Sequence, residues 1–310
     1  MKKDLLVTLA TGRNIEWTKQ LFSSAYFNAG WKGDYMILAY DMPEEKLSWF
    51  RKKGILVKKC RPMATGLAGK SNDPIFFSKL YLFSEEFGKW RNIVYLDSDI
   101  LIRGSLGDLT KVRGFASTLD NMGFLLDQFM YSKENKREFL DLRKNYDLRE
   151  NAFCAGVFAF NTDIIEKGTF DGMKRLAKKY SGILRFGDQS VLNLYFYKRW
   201  QRLPGAFGVL ANYAGKDLKL REDVDGIILH FAGPRKPWDK NSGYYREWKG
   251  NLDRADRIDL KRIPGPSRVW TAEEMKKQER EFRSRPRQIT KEILLLLKLN
   301  ALELHHRLRK

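Results

Sequence analysis

The strongest constraint on the fold is an alternation of short apolar runs with segments of helical periodicity in the first hundred residues. Four runs have the length and residue types of β-strands, and the segments between them repeat apolar residues at helical spacing. The strand candidates are 5–10, 35–40, 55–59 and 93–96, and the helix candidates are 17–29 and 44–53. This alternation predicts an α/β fold with a mainly parallel central sheet.

Further elements and a change in composition follow along the chain. Residues 152–161 and 227–233 are strand candidates, and a helix is expected over 188–200. From residue 254 onward the chain carries 16 Lys and Arg against 8 Asp and Glu, and the apolar residues of 289–310 fall on one side of a helix. We therefore expect a main domain over 1–253 and a basic C-terminal extension with an amphipathic helix over 254–310.

Composition excludes several classes of protein. With 43% hydrophobic residues among 310, the chain is too apolar to be disordered. It offers no window of the roughly 18 uncharged apolar residues that a membrane-spanning helix needs. Two cysteines, Cys60 and Cys154, are too few for a disulfide framework, and no CxxC or His/Cys cluster indicates zinc. The short apolar run at 5–10 fits a first strand better than an export signal, so a cytoplasmic protein is expected.

A pair of carboxylates follows the fourth strand candidate. Asp97 and Asp99 lie between the apolar runs 93–96 and 100–102. Side chains two residues apart in an extended segment point to the same side, so both carboxylates face one place. Such a pair repels itself unless a cation lies between the two groups, which predicts a divalent metal. The alternative is a turn in which Asp97 or Ser98 hydrogen-bonds to its own backbone.

His230 ends the apolar run 227–229 and is the only histidine outside the C-terminal tail. Taken alone, it is also compatible with a core histidine bonded to the backbone. Gly233 and Lys236 follow it closely, and a glycine that permits close approach beside a lysine suits a diphosphate. Taken alone, Lys236 is compatible with a solvated surface lysine.

An ordered set of segments over roughly residues 5–238 resembles glycosyltransferase family 8, the group of glycogenin and the bacterial lipopolysaccharide glucosyl- and galactosyltransferases. The family pattern combines a nucleotide loop, a Lys-Leu helix, an Asp-x-Asp strand, a Phe-Asn-x-Gly-Val strand, an Asp-Gln helix start and a His-Phe-x-Gly-x-x-Lys-Pro-Trp segment. The matching segments are VTLAT at 7–11, SKL at 78–80, YLDSDI at 95–100, FCAGV at 153–157, DQ at 188–189 with LN at 192–193, and HFAGPRKPW at 230–238.

The resemblance implies a nucleotide-binding α/β domain of the GT-A type. It implies transfer of a hexose, glucose or galactose, from a UDP-sugar to a glycan or lipid-linked glycan with retention of anomeric configuration, using Mn²⁺ or Mg²⁺. The implied metal ligands are Asp97, Asp99 and His230. The implied donor-binding residues are Thr8, Ala10, Thr11, Lys79, Asp97, Ser98, Asp99, Ala155, Gly156, Gly233 and Lys236. Two carboxylates and one imidazole suit manganese or magnesium better than zinc.

The resemblance also implies catalytic-site roles for Asp188 and Gln189. Asp188 is expected to contact sugar hydroxyls, and Gln189 to lie beneath the anomeric carbon. Double displacement and front-face attack both stay open. A helix N-cap is the alternative for Asp188.

Two positions depart from the family pattern and leave the donor sugar open. Cys154 stands where the family usually has Asn, and a cysteine offers no amide to the donor. The aromatic residue expected near the first loop is best matched by Trp17.

The net charge of +20 brings alternatives with it. The basic C-terminal residues 280–310 fit an anionic membrane surface, which places the protein at the inner face of the membrane. The alternative is that the leucines of this segment pack on the domain. A catalytically silent nucleotide-sugar-binding relative, a nucleotidyltransferase and a basic anion- or nucleic-acid-binding protein compete with the main hypothesis. The sequence contains no module of clustered aromatic and basic residues, so no specific nucleic-acid partner is expected.

Overall fold

The computed structural model describes residues 2–61, 75–211, 224–283 and Leu297. Ten strands lie in this part of the chain: β1 Leu5–Ala10, β2 Asp34–Tyr40, β3 Leu56–Cys60, β4 Asn92–Leu96, β5 Ile100–Ile102, β6 Phe115–Phe124, β7 Asn151–Asn161, β8 Trp200–Arg202, β9 Val209–Leu210 and β10 Ile228–His230. Its α-helices are α1 Ile15–Phe27, α2 Glu44–Lys52, α3 Lys136–Asn145, α4 Thr169–Lys179, α5 Asp188–Tyr195, α6 Tyr245–Asp253 and α7 Ala272–Arg283.

The main sheet has the strand order β3-β2-β1-β4-β7-β6-β8. Neighbouring strands run parallel from β3 to β4 and again between β6 and β8, whereas β7 is antiparallel to both β4 and β6. The predicted α/β class with a mostly parallel central sheet is therefore confirmed. The carboxyl ends of β1 and β4 meet at one edge of the sheet, where a ligand site is expected in such folds.

Strand β1 shows why the sheet lies at the centre of the core. Leu5, Val7 and Leu9 point into one hydrophobic cluster, and Leu6 and Ala10 point into another on the opposite face. This is the alternation that an extended strand imposes. Helices α1 and α2 cover the second face, and phenylalanines from β6 and β7 fill the first. Burying one such aromatic or aliphatic side chain contributes about 1.5–3 kcal/mol.

Three elements differ from the sequence-based expectation by two residues or more at an end. The helix predicted over 188–200 ends at Tyr195, because Lys198 has a positive φ of 55° and Trp200 begins β8. The strand predicted over 227–233 is limited to β10, because the chain turns at Gly233 and Pro234, and proline offers no N–H for a ladder. Helix α1 begins at Ile15, two residues earlier than expected.

A second, three-stranded sheet of order β5-β10-β9 lies next to the main one. Strand β5 begins after a three-residue connection that follows β4, and it pairs antiparallel with β10, with Ile100 opposite His230. This pairing carries a residue from late in the chain to the end of β4. The second sheet therefore assembles the site.

The described part of the C-terminal extension contacts the main body. The hydroxyl of Tyr26 donates to the carbonyls of Asp259 and Arg262, and Trp270 is buried. At Gly30, whose φ is +57°, a Cβ would come within 2.6 Å of the carbonyl oxygen of Pro264. The division at residue 253 stays a prediction. Except for Leu297, the amphipathic helix predicted over 289–310 lies outside the described residues. Within the described residues, no helix combines the length and apolar character that crossing a bilayer requires.

Candidate functional site

The two aspartates and the histidine converge at the carboxyl end of β4. Asp97 follows β4, Asp99 precedes β5, and His230 is the last residue of β10. The backbone N–H of Phe231 donates to the carbonyl of Asp99 over 3.1 Å, which fixes the two segments against each other. Nε2 of His230 lies 3.3 Å from Oδ1 of Asp99 and 3.8 Å from Oδ2 of Asp97. One ligand atom from each of the three residues lies within 4.8 Å of the others.

Gly156 forms one wall of this cluster. Strand β7 pairs with β4, and the N–H of Asp97 donates to the carbonyl of Gly156 over 2.9 Å. A Cβ at position 156 would come within 2.2 Å of Cε1 of His230 and 2.8 Å of Oδ2 of Asp97. Only glycine lets the strand pass this close to the three ligand side chains.

The donor set fits a hard divalent cation. Two carboxylates and one imidazole each offer one ligand atom at one place. Oxygen-rich sets of this kind favour Mn²⁺ or Mg²⁺, whereas structural zinc sites favour sulfur and several imidazoles. The residues present therefore fit such a metal.

Lys79 lies between Asp97 of the metal-ligand cluster and Asp188 of α5. It lies in a 3₁₀ helix, Phe76–Phe83, and is only 4% exposed. Its Nζ lies 3.1 Å from Oδ1 of Asp97 and 3.2 Å from Oδ2 of Asp188, and it donates to the carbonyl of Ala155 over 3.3 Å. Burial alone would lower the pKa of Lys79, but the two carboxylates raise it above its ordinary value. The lysine is therefore a permanent buried cation.

Asp188 is the first residue of α5, and the helix N-cap is Gly187 with a φ of 51°. The structure thus gives the N-cap position to the glycine and turns the Asp188 carboxylate toward Lys79. Burial raises the pKa of Asp188 to about 6, while Lys79 opposes that rise. On the other side of Lys79, the hydroxyl of Tyr95 donates to Oδ1 of Asp97 over 2.7 Å.

Lys236 reaches the site from the loop after β10. Its Nζ lies 2.6 Å from Oδ2 of Asp99 and donates to the carbonyl of Phe231 over 2.6 Å. Burial alone would raise the pKa of Asp99, but the neighbouring His230 and Lys236 lower it from 3.8 to about 2. Burial would lower the pKa of His230, and Asp99 raises it well above its ordinary value. Asp99 therefore lies between the imidazole of His230 and the ammonium group of Lys236.

Gln189 faces β7 from the first turn of α5. Its Oε1 accepts from the N–H of Ala155 over 2.9 Å, and its Nε2 donates to Oε1 of Gln128 over 3.0 Å. Asn193, one turn later, exchanges hydrogen bonds with both backbone groups of Phe153 over 2.9 Å. Helix α5 is thus tied to β7 by two amide side chains.

The loop after β1 meets the aspartate segment through a residue that the sequence analysis missed. Oδ1 of Asn14 accepts from the N–H of Thr11 over 2.6 Å, and its Nδ2 donates to Oγ of Ser98 over 3.1 Å. Thr8 and Ala10, in contrast, are fully buried within β1. Of the loop residues expected to contact a donor, Thr11 is the one whose side chain reaches the site edge.

Aromatic residues lie beside the Lys236 loop. The indole of Trp238 stacks on that of Trp17, with ring centroids 3.8 Å apart and planes inclined by 12°. Gly233 lies half-buried in the same loop. Sγ of Cys154, at the position where the family pattern has Asn, lies 3.9 Å from Nδ1 of His230. The thiol therefore faces the ring nitrogen on the far side from the aspartates.

The structure brings together most of the residues singled out from sequence. Hydrogen bonds, ion pairs and close contacts link ten of them: Lys79, Asp97, Ser98, Asp99, Ala155, Gly156, Asp188, Gln189, His230 and Lys236. Asn14, Asp120 and Gln128 were not among the predicted site residues. Asn14 lies in the segment after the first strand, where ligand contacts are expected, whereas no motif or periodicity marks Asp120 and Gln128, since their partners are far away in the sequence.

Comparison with known proteins agrees with this geometry. The sequence profile of Glycosyl transferase family 8 matches residues 50–242, which include the aspartate pair, Gln189 and the His230 to Trp238 segment. The chain belongs to glycosyltransferase family 8. Membership in this family supports a glycosyl transfer activity.

Two relatives illustrate the breadth of the family. The chain is 24% identical over 174 residues to Glycosyltransferase GlyF of Streptococcus pneumoniae serotype 4, a match that covers 54% of this chain and 39% of GlyF. It is 23% identical over 239 residues to Galactinol synthase 1 of Solanum lycopersicum, with 72% of this chain and 67% of that protein covered. The chain thus spans about two fifths of the length of GlyF.

Solved structures share the fold. The galactosyltransferase LgtC, solved in complex with donor and acceptor sugar analogues, superimposes with a TM-score of 0.58 at 15% identity and covers 88% of this chain and 99% of LgtC. The bifunctional glycosyltransferase WbbM gives a TM-score of 0.59 at 17% identity, covering 84% of this chain and 52% of WbbM. At these identities the similarity concerns the GT-A fold alone.

Proposed function

We propose that this chain is a retaining glycosyltransferase that moves a hexose, glucose or galactose, from a UDP-sugar to a glycan or glycolipid acceptor with the help of Mn²⁺. The observation that carries the proposal is the convergence of Asp97, Asp99 and His230 against Gly156 at the carboxyl end of β4. The similarity to Galactinol synthase 1 and to the galactosyltransferase LgtC favours a hexose donor.

The metal would be held by Asp97, Asp99 and His230, with Mg²⁺ as a substitute for Mn²⁺. When bound there, it acts as a Lewis acid for the charge that develops on the departing diphosphate. Its ligands are already fixed by the backbone pairing of β4 with β7 and of β5 with β10, which reduces the reorganisation needed on binding. The site needs no separate general acid at the leaving group.

Donor binding would rest on side chains around this cluster. Lys236 lies 2.6 Å from Asp99 and is placed to bind the diphosphate, while Asp99 also faces the ribose and sugar. Lys79 and Asp188 lie together beneath the sugar position. The remaining donor contacts are proposed for Thr8, Ala10, Thr11, Ser98, Ala155, Gly156 and Gly233. Because the side chains of Thr8 and Ala10 are buried, their part is to shape the strand end that carries Thr11.

Gln189 and Asp188 would act on the reacting sugar. Asp188 orients the sugar hydroxyls, and Oε1 of Gln189 provides negative partial charge beneath the anomeric carbon as positive charge develops there. Both residues begin α5 and are held in place by Lys79 and by Ala155. An amide oxygen fixed on one face of the sugar favours departure of the leaving group from the opposite face.

The acceptor and the location of the protein are proposed together. A lipid-linked glycan or lipopolysaccharide precursor suits the basic segment 280–310, which would hold the protein at an anionic membrane surface on the cytoplasmic side. The main domain is proposed to comprise residues 1–253 and the extension 254–310. No specific nucleic acid is expected as a partner.

A panel of UDP-, GDP- and CMP-sugars tests the proposal. The purified full chain is incubated with each sugar in Mn²⁺, and proton NMR follows the anomeric configuration of the product. We expect one UDP-hexose to be consumed with retention. Binding of a UDP-sugar without turnover would support a catalytically silent relative, and binding of all polyanions without competition by UDP would support a general anion-binding protein.

A further inference from the structure

A hydrogen-bonded chain of two side chains, the buried Gln128 and the half-buried Asp120, supports Gln189 from the side away from β7. Gln128 is fully buried at the end of the 3₁₀ helix Leu125–Gln128. Its Oε1 accepts from Nε2 of Gln189 over 3.0 Å, and its Nε2 donates to Oδ2 of Asp120 over 2.7 Å. Nε2 of Gln189 also lies 3.4 Å from the same Asp120 oxygen. The three side chains therefore form one connected network.

The direction of these hydrogen bonds decides how the Gln189 carboxamide is turned. A carboxylate such as Asp120 only accepts, so the amide of Gln128 must present its NH₂ to Asp120 and its oxygen to Gln189. Gln189 must then donate from Nε2 on this side. Its Oε1 is left to face β7, where it accepts from the N–H of Ala155. A flipped Gln189 would set oxygen against oxygen and N–H against N–H.

The segment that carries Gln128 is itself fixed against α5. The backbone carbonyl of Gln128 accepts from Oγ of Ser190 over 2.8 Å and from the N–H of Arg185 over 3.0 Å. Asp120 lies one residue beyond Leu119, which pairs with Phe153 of β7. Backbone contacts thus hold both supporting residues at the entrance to α5.

We propose that Gln128 is a positioning residue for Gln189: it fixes the carboxamide with Oε1 toward the reacting sugar and transmits the charge of Asp120 to it. This inference rests on the glycosyl transfer proposed above. Hydrogen bonds in a chain polarise one another, so a carboxylate at one end increases the negative partial charge on the amide oxygen at the other. That oxygen, which accepts from the N–H of Ala155, is the one assigned above to the space beneath the anomeric carbon.

The first test reads the side-chain amide of Gln189 without any substrate. The chain contains six glutamines, so labelling their side-chain nitrogens with ¹⁵N gives a simple spectrum, and a Gln189→Glu variant identifies the signal. We expect the Gln189 NH₂ protons to exchange slowly in the native chain. Gln128→Met, which keeps the length and removes both polar groups, should speed that exchange at least about tenfold.

Ser190→Ala is the matched control. It removes a buried hydrogen bond to the backbone of Gln128 but leaves the amide network intact. We expect a similar loss of stability and an unchanged Gln189 signal. An unchanged signal in Gln128→Met as well would overturn the proposal, whatever the activity of the protein.

The second test moves the negative charge from residue 120 to residue 128. Gln128→Glu alone sets a second carboxylate beside Asp120, so the kcat of UDP release should fall about tenfold with little change in KM. The kcat should recover as the pH is lowered, because protonation of one carboxylate removes the repulsion. Adding Asp120→Asn to Gln128→Glu restores a complete network with the charge one residue nearer to Gln189. The double variant should regain most of the lost kcat.

The outcomes separate this inference from the proposed function. A double variant that stays as slow as Gln128→Glu at every pH would contradict the transmission of charge. The native protein could release no UDP from any UDP-sugar and still show slow exchange of the Gln189 NH₂ protons that becomes fast in Gln128→Met. That result would reject the proposed glycosyl transfer but would support the positioning of Gln189 by Gln128.

Discussion

Gly156 lies directly against the imidazole of His230, so closely that a Cβ would come within 2.2 Å of Cε1. The glycine therefore defines the space available to the metal ligands. Strand β7 would otherwise stand too far from β4 for the N–H of Asp97 to reach the carbonyl of Gly156. The site is thus shaped by a backbone contact as much as by the side chains that would hold the ion.

Filling that space should weaken metal binding. In Gly156→Ala the added methyl group displaces the His230 ring, and we expect Mn²⁺ affinity, measured by electron paramagnetic resonance of free Mn²⁺, to fall at least about tenfold, with about 1–3 kcal/mol of overpacking cost in stability. Gly250→Ala in α6 is the control, because a Cβ there meets nothing within 4 Å. Equal affinities in the two variants would refute this role of Gly156.

Removal of the buried lysine should destabilise the fold. Lys79→Met leaves Asp97 and Asp188 without their shared cation, and breaking a buried pair in this way costs about 3–5 kcal/mol. Urea unfolding measures the loss. Lys174→Met, which breaks an exposed pair with Asp171, serves as the control and should cost under about 1 kcal/mol. A small loss at Lys79 would mean that water reaches the two carboxylates.

Asp188 gives stability a definite dependence on pH. Its pKa is raised to about 6 in the folded chain against an ordinary value of 3.8, so the folded state binds the proton more tightly. This contribution is complete below the ordinary value and is lost as the pH rises through about 6. Asp188→Asn lacks this dependence. We compare the free energy of unfolding of the native chain with that of Asp188→Asn. The difference, native minus variant, should fall between pH 4 and pH 7. A rise would show that the effect of Lys79 on the pKa of Asp188 outweighs the effect of burial.

Binding of the metal should stabilise the protein. At a free Mn²⁺ concentration of about 100 times Kd, the linkage adds about 2.7 kcal/mol, which raises Tm by several degrees. Differential scanning calorimetry with Mn²⁺ and with EDTA measures the shift. The Asp97→Asn/Asp99→Asn variant should show none, and a shift of the same size in that variant would place the ion elsewhere.

The basic C-terminal residues are expected to act at membranes. A chain that ends at Arg283 keeps α7, whose Glu279 pairs with Arg202 over 2.9 Å. Sedimentation with liposomes that contain anionic lipid should show binding by the full chain and none by the truncated one, while release of UDP is retained. Equal binding by both would move the membrane contact to the main domain.

Local patterns in the sequence were sufficient to predict six strands, β1 to β4, β7 and β10, and the carboxylate pair, because apolar runs and the spacing of Asp97 and Asp99 are short-range features. They did not predict β6 and β8 of the main sheet. His230 ends a strand candidate, but its role as a third metal ligand came from the family resemblance. Element ends were less accurate. Helix α5 stops at Tyr195 because Lys198 adopts a positive φ, which no residue type there indicates.

The supporting residues could not be predicted in this way. Asn14 contacts Ser98 across 84 positions and Gln128 contacts Gln189 across 61, so neither pair shares a motif or a period. These contacts depend on how the chain turns between β4 and β5 and after β6. Asp188 shows the same limit, since its local pattern suggested a helix cap and a distant lysine decided its orientation.

The central claim is metal-dependent glycosyl transfer at Asp97, Asp99 and His230, and the most direct measurement is UDP release by the full chain with the donor from the panel. We expect release in Mn²⁺, little in EDTA, and a loss of at least about a hundredfold in the Asp97→Asn/Asp99→Asn variant, since about 2.7 kcal/mol or more of stabilisation disappears. Release that is equally fast in EDTA, or unchanged in the variant, would contradict the account.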